Sequence, residues 1–301
     1  MPISLSPLGP STPAPEQATH ERWAPFVASH RPRLDPRGWL VIAEGGQTVG
    51  WMRIDQHHPT LFSLMDIDAA DPNRLTELGV SALAALPALF PDARLEAATW
   101  QRHSRAELHG LLSAPYPDGR YQLYVEKAYV RRELGDWVSP YPDPLALVSL
   151  TDVGDAAMIQ ALGEAMAGSP ARDLRTGDPA GEFHEMRALE GDTHDPAAWT
   201  LALLDGEVAG VILANRFPVN DEGTFTFIGV TQRFRGRGLG RVLHARGLEV
   251  LQRMGLRRYL CSTDVRNTPM LRLYARHGCR PFDIRRQYVW LSDMPADPEV
   301  P

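Results

Sequence analysis

The order of apolar and polar positions predicts the same elements in each half of the chain. In the second half, apolar runs over Trp199–Leu204 and Val208–Leu213 are joined by an Asp-Gly pair, which predicts a β-hairpin. A third strand is predicted over Thr224–Val230. The apolar residues of Leu239–Met254 recur at the spacing of one helical face, so an amphipathic helix is expected after that strand.

The first half repeats this order. Its hairpin joins Trp39–Glu44 to Thr48–Arg53 through two glycines. The later elements are strand Leu61–Ile67, helix Leu75–Phe90 and strands Arg94–Trp100 and Tyr121–Val130 in the first half, with strands Arg258–Thr263 and Gln287–Leu291 in the second. A helix that crosses between two strands of one sheet makes those strands parallel. We therefore predict a duplicated α/β fold with a mixed sheet.

A proline-rich stretch separates the halves. Pro140, Pro142 and Pro144 alternate with other residues, a pattern that favours an extended connector and disfavours helix. A chain of 301 residues suits two domains of about 150 residues each. The predicted organisation is a flexible tail over 1–20, a domain over 21–134, a connector over 135–144, a domain over 145–292 and a C-terminal tail over 293–301.

Composition narrows the class of protein. Apolar residues make up 44% and charged residues 23%, which excludes a disordered chain. The net charge of −6 argues against a protein that coats nucleic acid, and no apolar run reaches the length of a membrane span. The two cysteines, Cys261 and Cys279, exclude a disulfide framework or a four-cysteine zinc site. We expect a cytoplasmic monomer or homodimer without metal, nucleic-acid or membrane partners.

Glycines and arginines are concentrated where the third strand of the second half meets its helix. Gly236, Gly238 and Gly240 let the backbone turn sharply and approach a ligand closely. The first amides of the helix lack partners within it and lie at the positive end of its dipole, which suits a phosphate or pyrophosphate. Eight arginines lie within 233–258 against one acid. The region lacks the lysine of a P-loop, and Arg241 stands where a dinucleotide fingerprint needs glycine.

Two spacings connect this region to a known family. Arg233, Gly236 and Gly238 fit the pattern of Arg or Gln, two residues, Gly, one residue, and Gly or Ala. On the next predicted helix, Tyr274 follows Asn267 by seven residues. Together these features resemble the coenzyme A loop and the following helix of the GCN5-related N-acetyltransferase (GNAT) superfamily. The resemblance covers about residues 145–291, with its specific motifs within 224–278.

This resemblance implies two tandem GNAT-like domains, each a mixed, mostly antiparallel sheet whose central parallel strands splay apart between flanking helices. It implies an acyl-CoA-dependent N-acyltransferase that passes the acetyl group of acetyl-CoA to a primary amine of a small molecule, by direct attack in a ternary complex. Tyr274 would then be the general acid for the departing thiolate. The implied donor-binding residues are Ile228, Gly229, Val230, Thr231, Arg235, Gly236, Arg237, Gly238, Leu239, Gly240, Arg241 and Asn267. A protein or peptide N-acetyltransferase and a non-catalytic acyl-CoA sensor remain alternatives.

The resemblance leaves the general base open. Many family members carry Glu on the strand before the loop, but the matching position here is Thr224, which cannot act as a base at neutral pH. Glu185 and Glu222 are the candidate bases. Other candidates are Glu182, His184, Asp221, Asp264 or a water molecule, or the amine arrives already neutral.

The first half departs from the family pattern. Residues 68–74 contain no glycine and two acids where a pyrophosphate would bind, and carboxylates repel phosphate. We interpret this half as a degenerate domain that completes the fold or shapes the acceptor cleft. The arrangement resembles tandem acetyltransferases of the mycothiol synthase type, with one active half. Outside these motifs, His244 and His277 are expected to be surface or packing residues, and Cys261 a core residue.

Overall fold

The structure is a computed structural model, which describes residues 3–7, 39–55, 60–67, 71–90, 94–101, 110–116, 119–135, 137–169, 178–190, 194–217 and 221–292. The chain divides into two compact units. One comprises Met1–Glu126 with Asp283–Pro301, and the other comprises Lys127–Phe282. These divisions differ from the domain bounds expected from the sequence, because they fall inside two long strands and not in the connector over 135–144.

The first unit contains a mixed sheet and one long helix. Its elements are β1 (Ile3–Pro7), β2 (Trp39–Glu44), β3 (Gln47–Asp55), β4 (Thr60–Ile67), α1 (Pro72–Leu89), β5 (Arg94–Trp100), the short β6 (Pro115–Tyr116) and the first part of β7 (Gly119–Glu133). The first four strands are antiparallel neighbours, and β4 pairs with β5 in parallel as predicted. β5 also pairs antiparallel with residues 285–289 of the last strand, β13 (Arg280–Ser292). Residues 3–7, expected within a tail, pair with β2.

The core of the first unit lies against α1. Leu75, Leu78, Leu83 and Leu86 recur at helical spacing and are all buried, so they form the apolar face of the helix that the sequence predicted. They pack in one cluster with apolar residues of β2 and β5. Burying a leucine completely stabilises the fold by about 1.5–3 kcal/mol, so this face holds α1 on the sheet.

The second unit has the same order of strands. Its elements are β8 (Ala146–Ser149), α2 (Leu150–Met166), α3 (Pro179–Glu190), β9 (Trp199–Leu204), β10 (Glu207–Arg216), β11 (Glu222–Val230), α4 (Leu239–Arg253), β12 (Arg258–Asp264) and α5 (Thr268–Arg276). Strands β8 to β11 are antiparallel neighbours, and β11 pairs with β12 in parallel. β12 then pairs antiparallel with residues 127–133 of β7. The sheet of each unit is thus extended by a strand from the other half of the sequence.

Two apolar cores sandwich the second sheet. On one face, Leu243 and Leu251 of α4 cluster with Phe225 and Tyr259 of the strands. On the other face, residues of α2 and α3 such as Phe183 cluster with apolar side chains of β9, β10 and β11. A parallel pair covered on both faces accounts for the continuous apolar character of these strands.

The proline-rich stretch packs on α4 and does not form a free connector. Asp143 forms an ion pair with Arg246 at 2.9 Å, and the carboxamide of Gln252 donates to the Gly135 carbonyl at 2.8 Å. Trp137 and Tyr141 pack against the core beside α4. The prolines do prevent a helix, as predicted, but contacts with α4 hold the extended chain in place.

Candidate functional site

The parallel strands of the second unit part soon after they begin. β11 and β12 pair only at Glu222 with Arg258 and at Gly223 with Tyr259. On its other edge β11 carries a bulge, since Phe227 and Phe225 face consecutive residues of β10 and β11 thus has one residue more than β10 at this point. A cavity of about 670 Å³ occupies the gap. Its lining includes residues 225–230 of β11, residues 261–263 of β12, and parts of α4 and α5.

The glycine loop lies at one side of this cavity. A short 3₁₀ turn over Gln232–Phe234 follows β11, and Gly236 and Gly238 then both have a φ of 77°. This left-handed conformation is strained for other residues. Gly238 is the N-cap of α4 and provides no side chain to the helix amides. A Cβ on Gly236 would meet no atom within 4 Å. The loop is therefore open to a ligand, and its free helix amides suit an anion.

Half of the arginine cluster is paired with acids, and one of these pairs joins Arg257 to Asp221 at 3.9 Å. Arg233 pairs with Glu207, Arg246 with Asp143 and Glu249, and Arg258 with Glu133 and Glu222. Of the eight arginines noted in the sequence, Arg235 and Arg241 line the cavity. Arg272 and Arg276 of α5 line it too and were missed. Their spacing of four residues on a predicted helix was the signal that could have found them.

The side chain of Arg235 points back into the protein. Its guanidinium donates to the Val230 carbonyl at 3.1 Å and to the carbonyls of Ala165 and Ala167 at 2.7 Å each. Ala165 lies in the last turn of α2 and Ala167 caps it, where a cation also complements the helix dipole. Arg235 therefore ties the glycine loop to the end of β11 and to α2.

Two of the predicted donor-binding residues do not line the cavity. Thr231 is fully buried, and its hydroxyl donates to the Val208 carbonyl at 3.0 Å. Arg237 lies over the ring of Phe234 at 5.0 Å. The others do line it: Ile228, Gly229, Val230, Arg235, Gly236, Gly238, Leu239, Gly240, Arg241 and Asn267. The end of β11, the glycine loop and the start of α4 thus line the cavity together.

Helix α5 brings Asn267 and Tyr274 to the same cavity. Asn267 caps the helix by accepting from the Met270 amide at 3.2 Å, and its own amide group donates to the Thr263 hydroxyl. Tyr274 is 2% exposed and donates to the Ser262 carbonyl at 3.3 Å. Burial raises the pKa of Tyr274 well above its ordinary value, so the hydroxyl is protonated at neutral pH.

Neither candidate base lies in the cavity lining. Glu222 is buried at the closed end of the β11–β12 pair, in an ion pair with Arg258 at 2.5 Å. Glu185 is exposed on α3. Asp264, another candidate, is buried and accepts from the backbone and side chain of Arg266. Within the described residues, the cavity lining contains no carboxylate.

The corresponding helix start of the first unit is closed. The N-cap of α1 is Asp71, whose carboxylate accepts from the Asn73 amide at 3.1 Å. The Asp71 carboxylate fills the position at which the second unit, with Gly238, leaves the helix amides free. It would also repel an anion there. Residues 68–70 lie outside the described part of the chain.

Within the described part of the chain, no helix is long and apolar enough to cross a membrane. In the same residues, no group of three His, Cys, Asp or Glu side chains could hold a metal ion. Cys261 and Cys279 are buried free thiols, and for Cys261 this confirms the predicted core position.

Comparison with known proteins matches the segment that contains the glycine loop, the parted strands and α5. Residues 165–279 match the profile of the acetyltransferase (GNAT) family. The mycothiol acetyltransferase of Pseudarthrobacter chlorophenolicus is 33% identical over 105 residues, which is 33% of this chain and 32% of that protein. That of Geodermatophilus obscurus is 27% identical over 256 residues, 80% of this chain and 78% of that protein. In the first alignment the chain spans about a third of the relative's length.

Solved structures confirm the predicted fold. A GCN5-related N-acetyltransferase from Sphaerobacter thermophilus superposes with a TM-score of 0.66 at 17% identity, covering 99% of this chain and 98% of that one. A tandem GNAT protein from the clavulanic acid biosynthesis pathway superposes with a TM-score of 0.59 at 18% identity, covering 98% and 100%. The mixed sheet with a parallel pair, present in each unit, therefore has the fold of these two proteins.

Proposed function

We propose that the second unit is an N-acetyltransferase that moves the acetyl group of acetyl-CoA to a primary amine of a small molecule. The observation that carries this proposal is the open glycine loop, with Gly236 and Gly238 in left-handed conformations and no side chain over the helix amides. Such a start of a helix holds a pyrophosphate through its backbone. Arg241, Arg272 and Arg276 around the same cavity add positive charge for the phosphates.

The parted strands give the rest of the donor a place. β12 leaves the edge of β11 after Gly223, so the backbone of Ile228–Val230 faces the cavity without a neighbouring strand there. An extended pantetheine arm can pair with such an edge as a strand would. Asn267 lines the opposite side and would hold the arm through its amide. The amides of Gly229 and Val230 are our candidates for stabilising the oxyanion of the thioester carbonyl.

Tyr274 supplies the proton that the chemistry needs. When an amine attacks the thioester, the sulfur leaves as a thiolate, and a nearby neutral hydroxyl can protonate it. Tyr274 faces the cavity, is protonated at neutral pH and belongs to a helix that also holds Asn267. Glu185 and Glu222 do not line the cavity, so the loop and Tyr274 carry the proposal without them.

The test measures release of free thiol from acetyl-CoA with a panel of amino acids, amino sugars and peptides. We expect thiol release with at least one small primary amine, and in the Tyr274→Phe variant about a 100-fold lower kcat, within the range of general acid catalysis, with CoA affinity unchanged by calorimetry. Unchanged turnover of this variant would remove Tyr274 from the mechanism.

Gly238→Glu provides the matched test of the loop. The substitution places a side chain and a negative charge at the N-cap of α4, so we expect CoA binding to be lost in calorimetry. Undiminished affinity would overturn the placement of the donor. CoA binding without thiol release from any amine would favour an acyl-CoA sensor, and release with peptides alone would favour a peptide acetyltransferase.

A further inference from the structure

A hydrogen-bonded series of side chains reaches the cavity from the core beneath α2 and α3. It runs from the indole of Trp199 on β9 through the carboxamide of Asn215 on β10 to the hydroxyl of Thr226 on β11. Trp199 and Asn215 are at most 1% exposed, while Thr226 is half-buried and lines the cavity. Neither the proposed donor site nor the role of Tyr274 uses these three residues.

The donors and acceptors of the three side chains fix the direction of the series. The Nε1–H of Trp199 can only donate, and it lies 2.8 Å from Oδ1 of Asn215. The carboxamide oxygen therefore faces Trp199, and Nδ2 of Asn215 donates to Oγ1 of Thr226. Because this bond takes a lone pair of the Thr226 oxygen, the hydroxyl hydrogen is directed away from Asn215. Thr226 consequently acts as a donor toward a group other than Asn215.

The two buried residues hold the Thr226 hydroxyl in place. The ring of Trp199 packs edge to face on Phe183 of α3, with centroids 5.6 Å apart, and both belong to one apolar core. A buried polar network whose groups are bonded to one another is rigid and specifies a single arrangement. The bulge of β11 between Phe225 and Phe227 places Thr226 at the end of this series.

Thr226 is held from the face of the sheet opposite the donor loop. The glycine loop begins α4, and Tyr274 of α5 packs in the same core as α4. Trp199 belongs to the core under α2 and α3, and Asn215 reaches Thr226 from there. The cavity extends to both faces, since Tyr274 and Ala165 of α2 both line it. A donor that enters beside α4 and α5 leaves the α2 face for the acceptor.

The spacing along β11 indicates which part of the acceptor would meet Thr226. The amide of Gly229 is a candidate for binding the thioester oxyanion, and Thr226 lies three residues before it, about 10 Å along a strand. An attack distance of about 3 Å and a hydrogen bond of about 3 Å leave about 4 Å within the acceptor. Thr226 would therefore meet a second polar group and not the attacking nitrogen. Such a spacing separates the nitrogen from an oxygen in an α-amino acid or a 2-amino alcohol.

We infer that the acceptor carries a hydrogen-bond-accepting group close to its amine, a carboxylate or a hydroxyl, and that Thr226 donates to this group. The inference rests on the proposed function and names the class of acceptor for the same site. Thr226 is then a specificity residue, while Asn215 and Trp199 position its hydroxyl. A site built to hydrogen-bond a substrate group discriminates against an analogue that lacks it.

Matched acceptors test the inference without any variant. Each pair consists of a 2-amino alcohol or an amino acid and the alkylamine of the same length, for example ethanolamine and propylamine. We expect the parent chain to have a kcat/KM at least about 10-fold higher for the member with the second polar group, as for one hydrogen bond. Equal or better use of the alkylamines would overturn the inference.

Thr226→Val tests the assigned residue, since it keeps the branched shape and removes the hydroxyl. We expect the KM for the polar acceptor to rise about 10-fold, with the KM values for acetyl-CoA and for the matched alkylamine unchanged. Thr226→Ser should restore the parent KM. Thr224→Val, on the same strand but outside the cavity lining, is the matched control and should change none of these values. Calorimetric CoA affinity shows that each variant is folded.

Trp199→Phe tests the support behind Thr226. The variant removes the indole N–H, so Asn215 is no longer held and the KM for the polar acceptor should rise. In a chain that already carries Thr226→Val, the same substitution should cause no further rise. Equal rises in both backgrounds would contradict the positioning role, because the effect would not pass through Thr226.

The outcomes separate this inference from the proposed function. A parent chain that acetylates no amine overturns the proposed function. An active parent whose Thr226→Val variant keeps the KM for the polar acceptor overturns the inference and leaves the acetyltransferase standing. A rise in KM by the same factor for the alkylamine also contradicts the inference, because the hydroxyl would then act through the shape of the site and not through a bond to the second polar group.

Discussion

Replacing Arg235 by alanine should loosen the glycine loop and the end of α2 together. The substitution removes three hydrogen bonds of 2.7, 2.7 and 3.1 Å to the carbonyls of Ala165, Ala167 and Val230. Hydrogen bonds from a charged group contribute about 1.5–3 kcal/mol each when buried. The side chain is half-buried and the three bonds share one group, so we expect a total loss of about 2–3 kcal/mol.

The loss of stability in Arg235→Ala should lower both the melting temperature and the affinity for CoA. At about 2–4 °C for each kcal/mol in a unit of this size, the melting temperature should fall by about 5–10 °C. A loop that is no longer tied to α2 must be ordered by the ligand, so we expect CoA to bind about 10-fold more weakly in calorimetry. Arg235→Lys keeps the charge but has one donor group, and it should recover part of both effects.

Arg237→Ala is the matched control in the same loop. Its exposed guanidinium lies over Phe234, without ion pairs or hydrogen bonds to described residues, so the melting temperature should stay within about 1–2 °C of the parent. If Arg235→Ala and Arg237→Ala behave alike, in melting and in CoA affinity, the guanidinium of Arg235 does not anchor the loop.

The remaining predictions concern the buried histidines and the first unit. The folded-state pKa of His277 lies below its unfolded value, so the associated stability is present above pH 6.5 and is lost as the pH falls toward about 4. Between pH 7 and pH 5 this lowers the free energy of unfolding by about 2 kcal/mol. The melting temperature of the His277→Gln variant should therefore fall less steeply with decreasing pH than that of the parent. Asp71→Ala removes the N-cap of α1 at a cost of about 1 kcal/mol. Since the donor loop lies in the other unit, the Asp71→Ala variant should bind CoA with the affinity of the parent. A weaker CoA affinity would contradict the assignment of the donor site.

Much of the site follows from local spacing. The turn from β11 into α4 needs glycines at 236 and 238 because the backbone is left-handed at both, and this requirement is visible in the residue types alone. Asn267 caps α5 and Tyr274 lies two turns further along, so a helical period brings both to one side. The strands were also predicted closely, and those over Arg94–Trp100 and Trp199–Leu204 have the expected bounds.

Side-chain direction did not follow from the sequence. Arg235 and Arg237 occupy neighbouring positions of one basic loop, yet one donates inward to α2 and the other lies over Phe234. His244 and His277 were expected to be surface or packing residues, and the structure joins them by a 2.7 Å contact deep in the core. These outcomes depend on the groups that distant segments place beside each side chain, which no local pattern records.

The sequence by itself determined the type and order of the elements from β2 to β5 and from β9 to β12, and the glycine-rich start of α4 that has no counterpart at the start of α1. Those features depend on backbone conformations and periodicities that a few neighbouring residues impose. The tertiary structure decided which strands complete each sheet, since residues 127–133 pair with β12 and residues 285–289 with β5. Both segments belong to long strands, and a strand's pattern specifies the faces it buries but not the partner whose edge it meets. That choice is made by packing between segments far apart in the chain, and it assembles the cavity in which the proposed chemistry takes place.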